Sequence, residues 1–216
     1  MKRIILAAVL FAVLFTAQMF AFVYANHSCA VYNACDPDGE AMGSGTTLIN
    51  SLIIEGAGHF LKSHANFLLL LNSIEVAELS GTDYIQWQAL VNSALENMEK
   101  ASTVYGNLIT TAAETPYNPE VIAKLADIDY KNFAKKNGLN TVIFSRLEDL
   151  LRKGDVTGVY ILLKSDMDII IDQLTTLKTA IDAGTFPDTS LLWRLNQTYA
   201  DSLFTGQYLS QVFKSL

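Results

Sequence analysis

The sequence predicts an all-α protein in which four long antiparallel helices form an up-down-up-down bundle, with two shorter helices between the second and third long helices. Apolar residues recur at alternating steps of three and four along most of the chain, which is the spacing of helices packed at a shallow angle on their neighbours. Strand-like alternation of apolar and polar residues is absent. Only 4 of the 216 residues are proline and 50% are hydrophobic, which argues against a disordered or collagen-like chain.

The first 25 residues are predicted to be a secretory signal peptide that is removed from the mature protein. Lys2 and Arg3 precede an uninterrupted apolar run over residues 4–15, and the segment ends in Val23-Tyr24-Ala25. This order of basic, apolar and small residues predicts cleavage after Ala25. An uncleaved anchor is the alternative, because the same stretch is long enough to cross a bilayer. The protein is therefore expected in the periplasm or outside the cell, touching a membrane only if the segment is kept.

Residues 26–45 are predicted to form a short N-terminal segment pinned by a disulfide. Cys29 and Cys35 are the only two cysteines of the chain, and an oxidising compartment favours their pairing. Their spacing matches neither a Cys-x-x-Cys redox motif nor a haem-attachment motif. A zinc site would need more ligands than this segment supplies, so no metal is predicted.

The remaining residues, 46–216, are predicted to form one helical bundle domain. Its long helices are expected over residues 46–79, 83–114, 155–183 and 188–216, and its short helices over residues 119–137 and 139–153. Side chains suited to capping a helix N-terminus stand where helices should begin, at Thr46, Asp83, Asn118, Asp155 and Asp188. Glycines suited to a left-handed C-cap follow helical runs at Gly138, Gly154 and Gly184.

Four apolar stripes define the predicted core. They run in steps of three and four from Ile49 to Ala77, from Trp87 to Ala112, from Val156 to Ile181 and from Leu192 to Leu216. Aromatic residues on or beside the stripes, including Trp193, are expected to be core residues. The turns over residues 79–83 and 183–188 are short, so the helices that each of them joins should pair antiparallel.

Charge and motifs exclude several functions. The chain carries a net charge of -7 with only three histidines, so no basic patch exists to bind nucleic acid. The sequence lacks paired Glu-x-x-His motifs for a di-iron centre, a phosphate-binding loop, a nucleophile elbow and a His-Glu-x-x-His zinc motif. We therefore expect no covalent chemistry, although residues distant in sequence can still assemble an acid–base pair.

One layer of the predicted core is built from small residues. Gly56 and Ser63 on the first helix fall at the same height as Ser202 and Gly206 on the last, with Ala101 beside them. Such residues either allow helices to pack closely or leave room for a ligand. The residues predicted to bind an apolar ligand here are Gly56, His59, Phe60, Ser63, His64, Met98, Ala101, Met167, Ser202 and Gly206.

No cofactor is predicted, and the alternative is a non-covalent haem. His64 lies at the edge of the first stripe, and Met98 or Met167 would supply the second axial ligand. A histidine beside a core is more often a packing residue.

The expected function is that of an exported binding or interaction protein for a small apolar ligand or a protein partner. A haem- or metal-binding electron-transfer bundle is the alternative, and a cytokine-like secreted ligand is a further one. Heptad helices also pair between chains, so a homo-oligomer is possible.

Overall fold

The computed structural model describes residues 44–80, 83–136 and 144–215. Seven helices occupy these residues and no strand occurs among them, which confirms the all-α prediction. The predicted signal peptide, the Cys29–Cys35 disulfide and the glycine cap at Gly138 lie outside the described residues. None of the helices in the described part of the chain has both the length and the hydropathy that a membrane span requires.

The four long helices end within two residues of their predicted bounds. In chain order the helices are α1 (Ser44–Ser80), α2 (Tyr84–Glu114), α3 (Pro119–Asp127), α4 (Tyr130–Lys136), α5 (Ser145–Arg152), α6 (Val156–Asp182) and α7 (Thr189–Lys214).

The helix predicted over residues 119–137 is in fact two helices, α3 and α4. The backbone of Ile128 is extended, with φ of -65° and ψ of 126°, which ends α3. The Asp129 carboxylate then accepts a hydrogen bond from the backbone N–H of Asn132 at 3.2 Å. An aspartate that caps a new helix competes with continuation of the old one, and this local signal was missed.

Most of the predicted helix caps are confirmed. Asp83 and Asp155 accept hydrogen bonds from backbone N–H groups in the first turns of α2 and α6. Gly154 and Gly184 adopt φ values of 67° and 68°, a left-handed conformation in which a side chain is strained. Thr46 does not mark a helix start, because α1 begins two residues earlier and contains it.

The core follows the four predicted stripes, because every member of each stripe whose burial is described is buried. Trp193 is an exception to the expectation for aromatic residues, since 65% of its surface is exposed. Leu192 and Leu195 hold the core positions of that turn. Because each residue rotates the side-chain direction by about 100°, the tryptophan between them faces solvent.

The helices pack in a defined order. α1 packs along α2, α2 along α6 and α6 along α7, while α5 contacts α6 and α3 contacts α5. α1 and α7 meet through side chains, chiefly those around Tyr199. This order brings α1, α2, α6 and α7 together at the level of the small-residue layer.

Candidate functional site

An apolar cavity of about 40 Å³ lies between α1, α2, α6 and α7. It falls within the small-residue layer that the sequence predicted. Its lining residues are Ala57, Phe60, Leu61, Tyr105, Leu163, Met167, Ser202, Leu203 and Gly206.

Ser202 carries the only aliphatic hydroxyl group in the cavity lining, and the hydrogen of this group is already used in a hydrogen bond. The Ser202 hydroxyl donates to the backbone carbonyl of Thr198 in the preceding turn of α7, at 3.0 Å. Such a bond within the helix satisfies the hydroxyl hydrogen. Because the rest of the lining is apolar apart from the Tyr105 hydroxyl, the cavity suits an uncharged and mainly apolar molecule.

Leu61 on α1 and Leu203 on α7 are half-buried, whereas the other lining residues are buried. The solvent side of the cavity is therefore the seam between α1 and α7. The Leu61 and Leu203 side chains lie between the cavity and solvent.

The volume limits what the cavity can hold. An engineered apolar cavity of about 150 Å³ in another protein stays dry and binds benzene. The cavity here has about 40 Å³, so a six-membered ring needs more room than it offers. Only a very small apolar molecule fits without a movement of the walls.

Four of the ten residues predicted to bind the ligand line the cavity, namely Phe60, Met167, Ser202 and Gly206. The other six, Gly56, His59, Ser63, His64, Met98 and Ala101, do not line it. Five lining residues were missed: Ala57, Leu61, Tyr105, Leu163 and Leu203. Tyr105 and Leu163 belong to the predicted stripes, so they could have been found by extending the layer by one turn.

Gly56 serves close packing. A Cβ atom at this position would lie only 2.7 Å from Cε2 and 2.8 Å from Cδ2 of the Tyr105 ring. Glycine therefore lets α2 place a large ring directly against the backbone of α1. The sequence predicted either close helix packing or a cavity in this layer. The structure contains both, with close packing at Gly56 and the cavity beside it.

Ser63 and Tyr199 form a buried hydrogen-bonded pair that joins three helices. The Ser63 hydroxyl donates to the backbone carbonyl of Ala94 on α2 at 2.6 Å. The Tyr199 hydroxyl on α7 lies 2.6 Å from the same serine oxygen. Because the one serine hydrogen is used by Ala94, the tyrosine must be the donor in the second bond.

His64 is a packing residue against the ring of Tyr199. Its ring stacks on the tyrosine ring with centroids 4.8 Å apart, and its Nδ1 atom is buried without a hydrogen-bond partner. Burial lowers the pKa of His64 to about 4, so the imidazole is neutral at pH 7.

The residues proposed for a haem are not assembled around the cavity. Met167 lines it, whereas His64 and Met98 do not. Among the described residues, no group of three or more His, Cys, Asp and Glu side chains is arranged to hold a metal ion.

Asp166 on α6 lies close to Asp201 on α7, next to the cavity residues Met167 and Ser202. Burial, with a smaller contribution from the Asp201 charge, raises the pKa of Asp166 to about 6, although Arg146 acts in the opposite direction. A carboxylate with a raised pKa in the folded state destabilises the fold once it is ionised. The stability that the protonated form provides is complete below pH 4 and is lost as the pH rises through 6.

Replacing Asp166 with asparagine is expected to raise the free energy of unfolding at pH 7 by about 1 kcal/mol. A fully buried carboxylate with this pKa shift would lose about 3 kcal/mol of stability, at 1.36 kcal/mol per pKa unit. The loss is smaller here because solvent screens the half-buried Asp166 carboxylate. Urea denaturation at pH 7 and pH 3.5 measures the effect, which should vanish at the lower pH. The matched control is Asp172→Asn, an exposed site on the same helix, where the change should stay within about 0.5 kcal/mol.

Comparison of the chain with protein-family models, with curated proteins and with solved structures gave no match. Its own fold and cavity therefore define its class, which is that of an all-helical protein with an apolar cavity between its long helices.

Proposed function

We propose that the protein is an exported helical-bundle module that binds a small apolar ligand and carries out no covalent chemistry. The observation that supports it is the apolar cavity between α1, α2, α6 and α7. Apolar clefts and cavities between the helices of bundles are common ligand sites. The exported location rests on the signal-like sequence of residues 1–25.

We further infer that α1, α2, α6 and α7 form an up-down-up-down bundle. On α1 and α2, Ser73 pairs with Gln86 near the connecting turn, and His59 pairs with Asn97 further from it. From the first pair to the second, the residue number falls on α1 and rises on α2, as it does between antiparallel helices.

The contacts between α2 and α6 follow the same pattern. Ser102 on α2 donates to Asp168 on α6 at 2.6 Å, and Tyr117 after α2 pairs with Thr157 at the start of α6. Tyr199 on α7 reaches back to α1. The cavity then lies between the four helices, with the seam between α1 and α7 on its solvent side.

The chemistry of the lining favours an uncharged ligand without hydrogen-bonding groups. Phe60, Leu163 and Met167 supply apolar contacts. An ionised ligand would lose its hydration without gaining a partner. A haem macrocycle is far larger than the cavity, so no observation favours the haem alternative.

A protein partner is the second candidate, and the exposed aromatic residues of α7 favour it. Trp193 is 65% and Phe204 is 52% exposed. They lie 11 residues apart, which is about three helical turns, and so share one face. Exposed aromatic residues of this kind are enriched in protein interfaces.

We expect xenon, an apolar probe of suitable size, to bind the cavity saturably. The measurement is the shift of the Met167, Leu163 and Leu203 methyl signals in NMR spectra recorded at increasing xenon pressure. Ala57→Leu should abolish saturation, because its larger side chain fills the cavity.

The matched control is Ala65→Leu, the same change two turns further along α1 at a position that does not line the cavity. It should bind xenon as the wild type does. The proposal would be contradicted if the wild-type methyl shifts rose linearly with xenon pressure without saturating. It would also be contradicted if Ala57→Leu showed the same saturation as the wild type.

A further inference from the structure

Tyr105 connects the cavity with the close contact between α1 and α2. Its side chain lines the cavity, and its ring edge lies against the backbone of Gly56 on α1. The residue is only 4% exposed, so its ring has little freedom to turn toward solvent. One side chain thus forms both the wall of the cavity and the helix contact beside it.

Glycine at position 56 is what permits this placement of the ring. A Cβ atom there would lie 2.7 Å from Tyr105 Cε2, and it would lie 3.3 Å from Val104 Cγ1. The first distance is shorter than any stable contact between carbon atoms, whose optimum is about 3.5–4.0 Å. Any larger residue at position 56 must therefore displace the Tyr105 ring or separate the two helices.

The cavity that Tyr105 lines offers free space to the displaced ring. The dense packing of protein interiors resists separation of two helices along their whole contact, whereas a ring that already borders a void can move into it. The Tyr105 phenol is held in an apolar environment near Tyr160, and burial raises its pKa. It therefore remains an uncharged part of the wall.

We propose that Tyr105, positioned by Gly56, determines the size of the ligand and restricts the cavity to uncharged apolar molecules smaller than benzene. This inference rests on the proposed function. Gly56 acts as a positioning residue, because it does not line the cavity itself. Shortening the side chain at position 105 should enlarge the cavity enough for benzene to enter.

The test compares Gly56→Ala with Gly58→Ala, the same change on the same helix. A Cβ atom at Gly58 meets nothing within 4 Å, so this variant controls for the replacement of a helical glycine. We expect Gly56→Ala to weaken xenon binding at least tenfold and Gly58→Ala to leave it within twofold of the wild type. We also expect Tyr105→Leu to bind benzene saturably in the same NMR measurement, which the wild type should not do.

A second readout requires no ligand. In ligand-free Gly56→Ala, nuclear Overhauser effects between the Tyr105 ring and the Met167 and Leu163 methyl groups should strengthen as the ring enters the cavity. Unchanged ring position together with weakened contacts between α1 and α2 would overturn the inference. If Gly56→Ala fails to fold, the Tyr105→Leu variant still tests the inference. Failure of Tyr105→Leu to bind benzene would overturn it.

The outcomes distinguish this inference from the proposed function. Xenon binding that is equal in wild type and Gly56→Ala overturns the role of Tyr105 and leaves the proposed function standing. Absence of saturable xenon binding in the wild type overturns the proposed function. The ring movement in ligand-free Gly56→Ala would then still support Gly56 as the residue that positions Tyr105.

Discussion

Replacing Tyr199 with alanine is expected to lower the free energy of unfolding by about 3–5 kcal/mol, the range measured for removal of large buried aromatic side chains. The residue is fully buried. Its ring packs on Phe60, His64 and Phe67, with centroids 5.7, 4.8 and 5.3 Å away. All three neighbours belong to α1, so the variant would lose the main contact between α1 and α7.

The hydrogen bond of Tyr199 allows a finer prediction. Tyr199→Phe removes the donor and leaves Ser63 bonded to Ala94, so it should cost about 1 kcal/mol. Ser63→Ala leaves the buried tyrosine hydroxyl without its acceptor and should cost about 1–3 kcal/mol. The double variant should lose no more stability than Ser63→Ala alone, because the unpaired hydroxyl is then absent.

Urea denaturation of all four variants at pH 7 measures these effects. The control is Trp193→Ala, a large aromatic residue on the same helix that is mostly exposed and should change stability by less than about 0.5 kcal/mol. A loss below 1 kcal/mol for Tyr199→Ala would show that α7 is not held through this ring. A loss for Tyr199→Phe larger than that for Ser63→Ala would contradict the assignment of tyrosine as the donor.

Acid is expected to destabilise the protein by about 3 kcal/mol through His64 alone. Burial lowers the pKa of His64 from 6.5 to about 4, and no charged group contributes to the shift. Between these two values the unfolded chain binds a proton that the folded protein does not. The contribution of His64 to stability is therefore complete above pH 6.5 and falls by up to about 1.36 kcal/mol per pH unit until pH 4.

The comparison of wild type with His64→Phe isolates this effect. Phenylalanine preserves a ring against Tyr199 and removes the buried Nδ1 atom that lacks a partner, so stability at pH 7 should be retained. Between pH 4 and 6.5 the His64→Phe variant should be more stable than the wild type, and the difference should grow as the pH falls. Both proteins should carry Asp166→Asn, because the raised pKa of Asp166 acts with opposite sign in the same pH range.

The control for this experiment is His59→Phe in the same background. His59 is half-buried one turn earlier on α1, where it donates to Asn97. This variant should retain the acid sensitivity of the wild type. Equal acid sensitivity in His64→Phe and His59→Phe would show that His64 is not the group responsible.

The helix bounds and core stripes were predictable because their signals are local. An aspartate such as Asp83 caps the backbone three residues ahead of it, and the spacing of three and four follows from the geometry of a single helix. The division between α3 and α4 was missed although its signal is also local. Asp129 caps α4, but a continuous helical pattern concealed it.

The sequence by itself determined the helices, the buried face of each long helix and the level at which small residues gather. Tertiary structure alone decided what those small residues do, because their role depends on the side chain that faces them from another helix. Gly56 and Gly206 look alike in the sequence. The Tyr105 ring fills the space beside Gly56, whereas the space beside Gly206 stays open as the cavity. Whether the space beside a glycine is filled depends on the rotation and axial offset of the neighbouring helices. The sequence pattern of a single helix does not determine these two quantities.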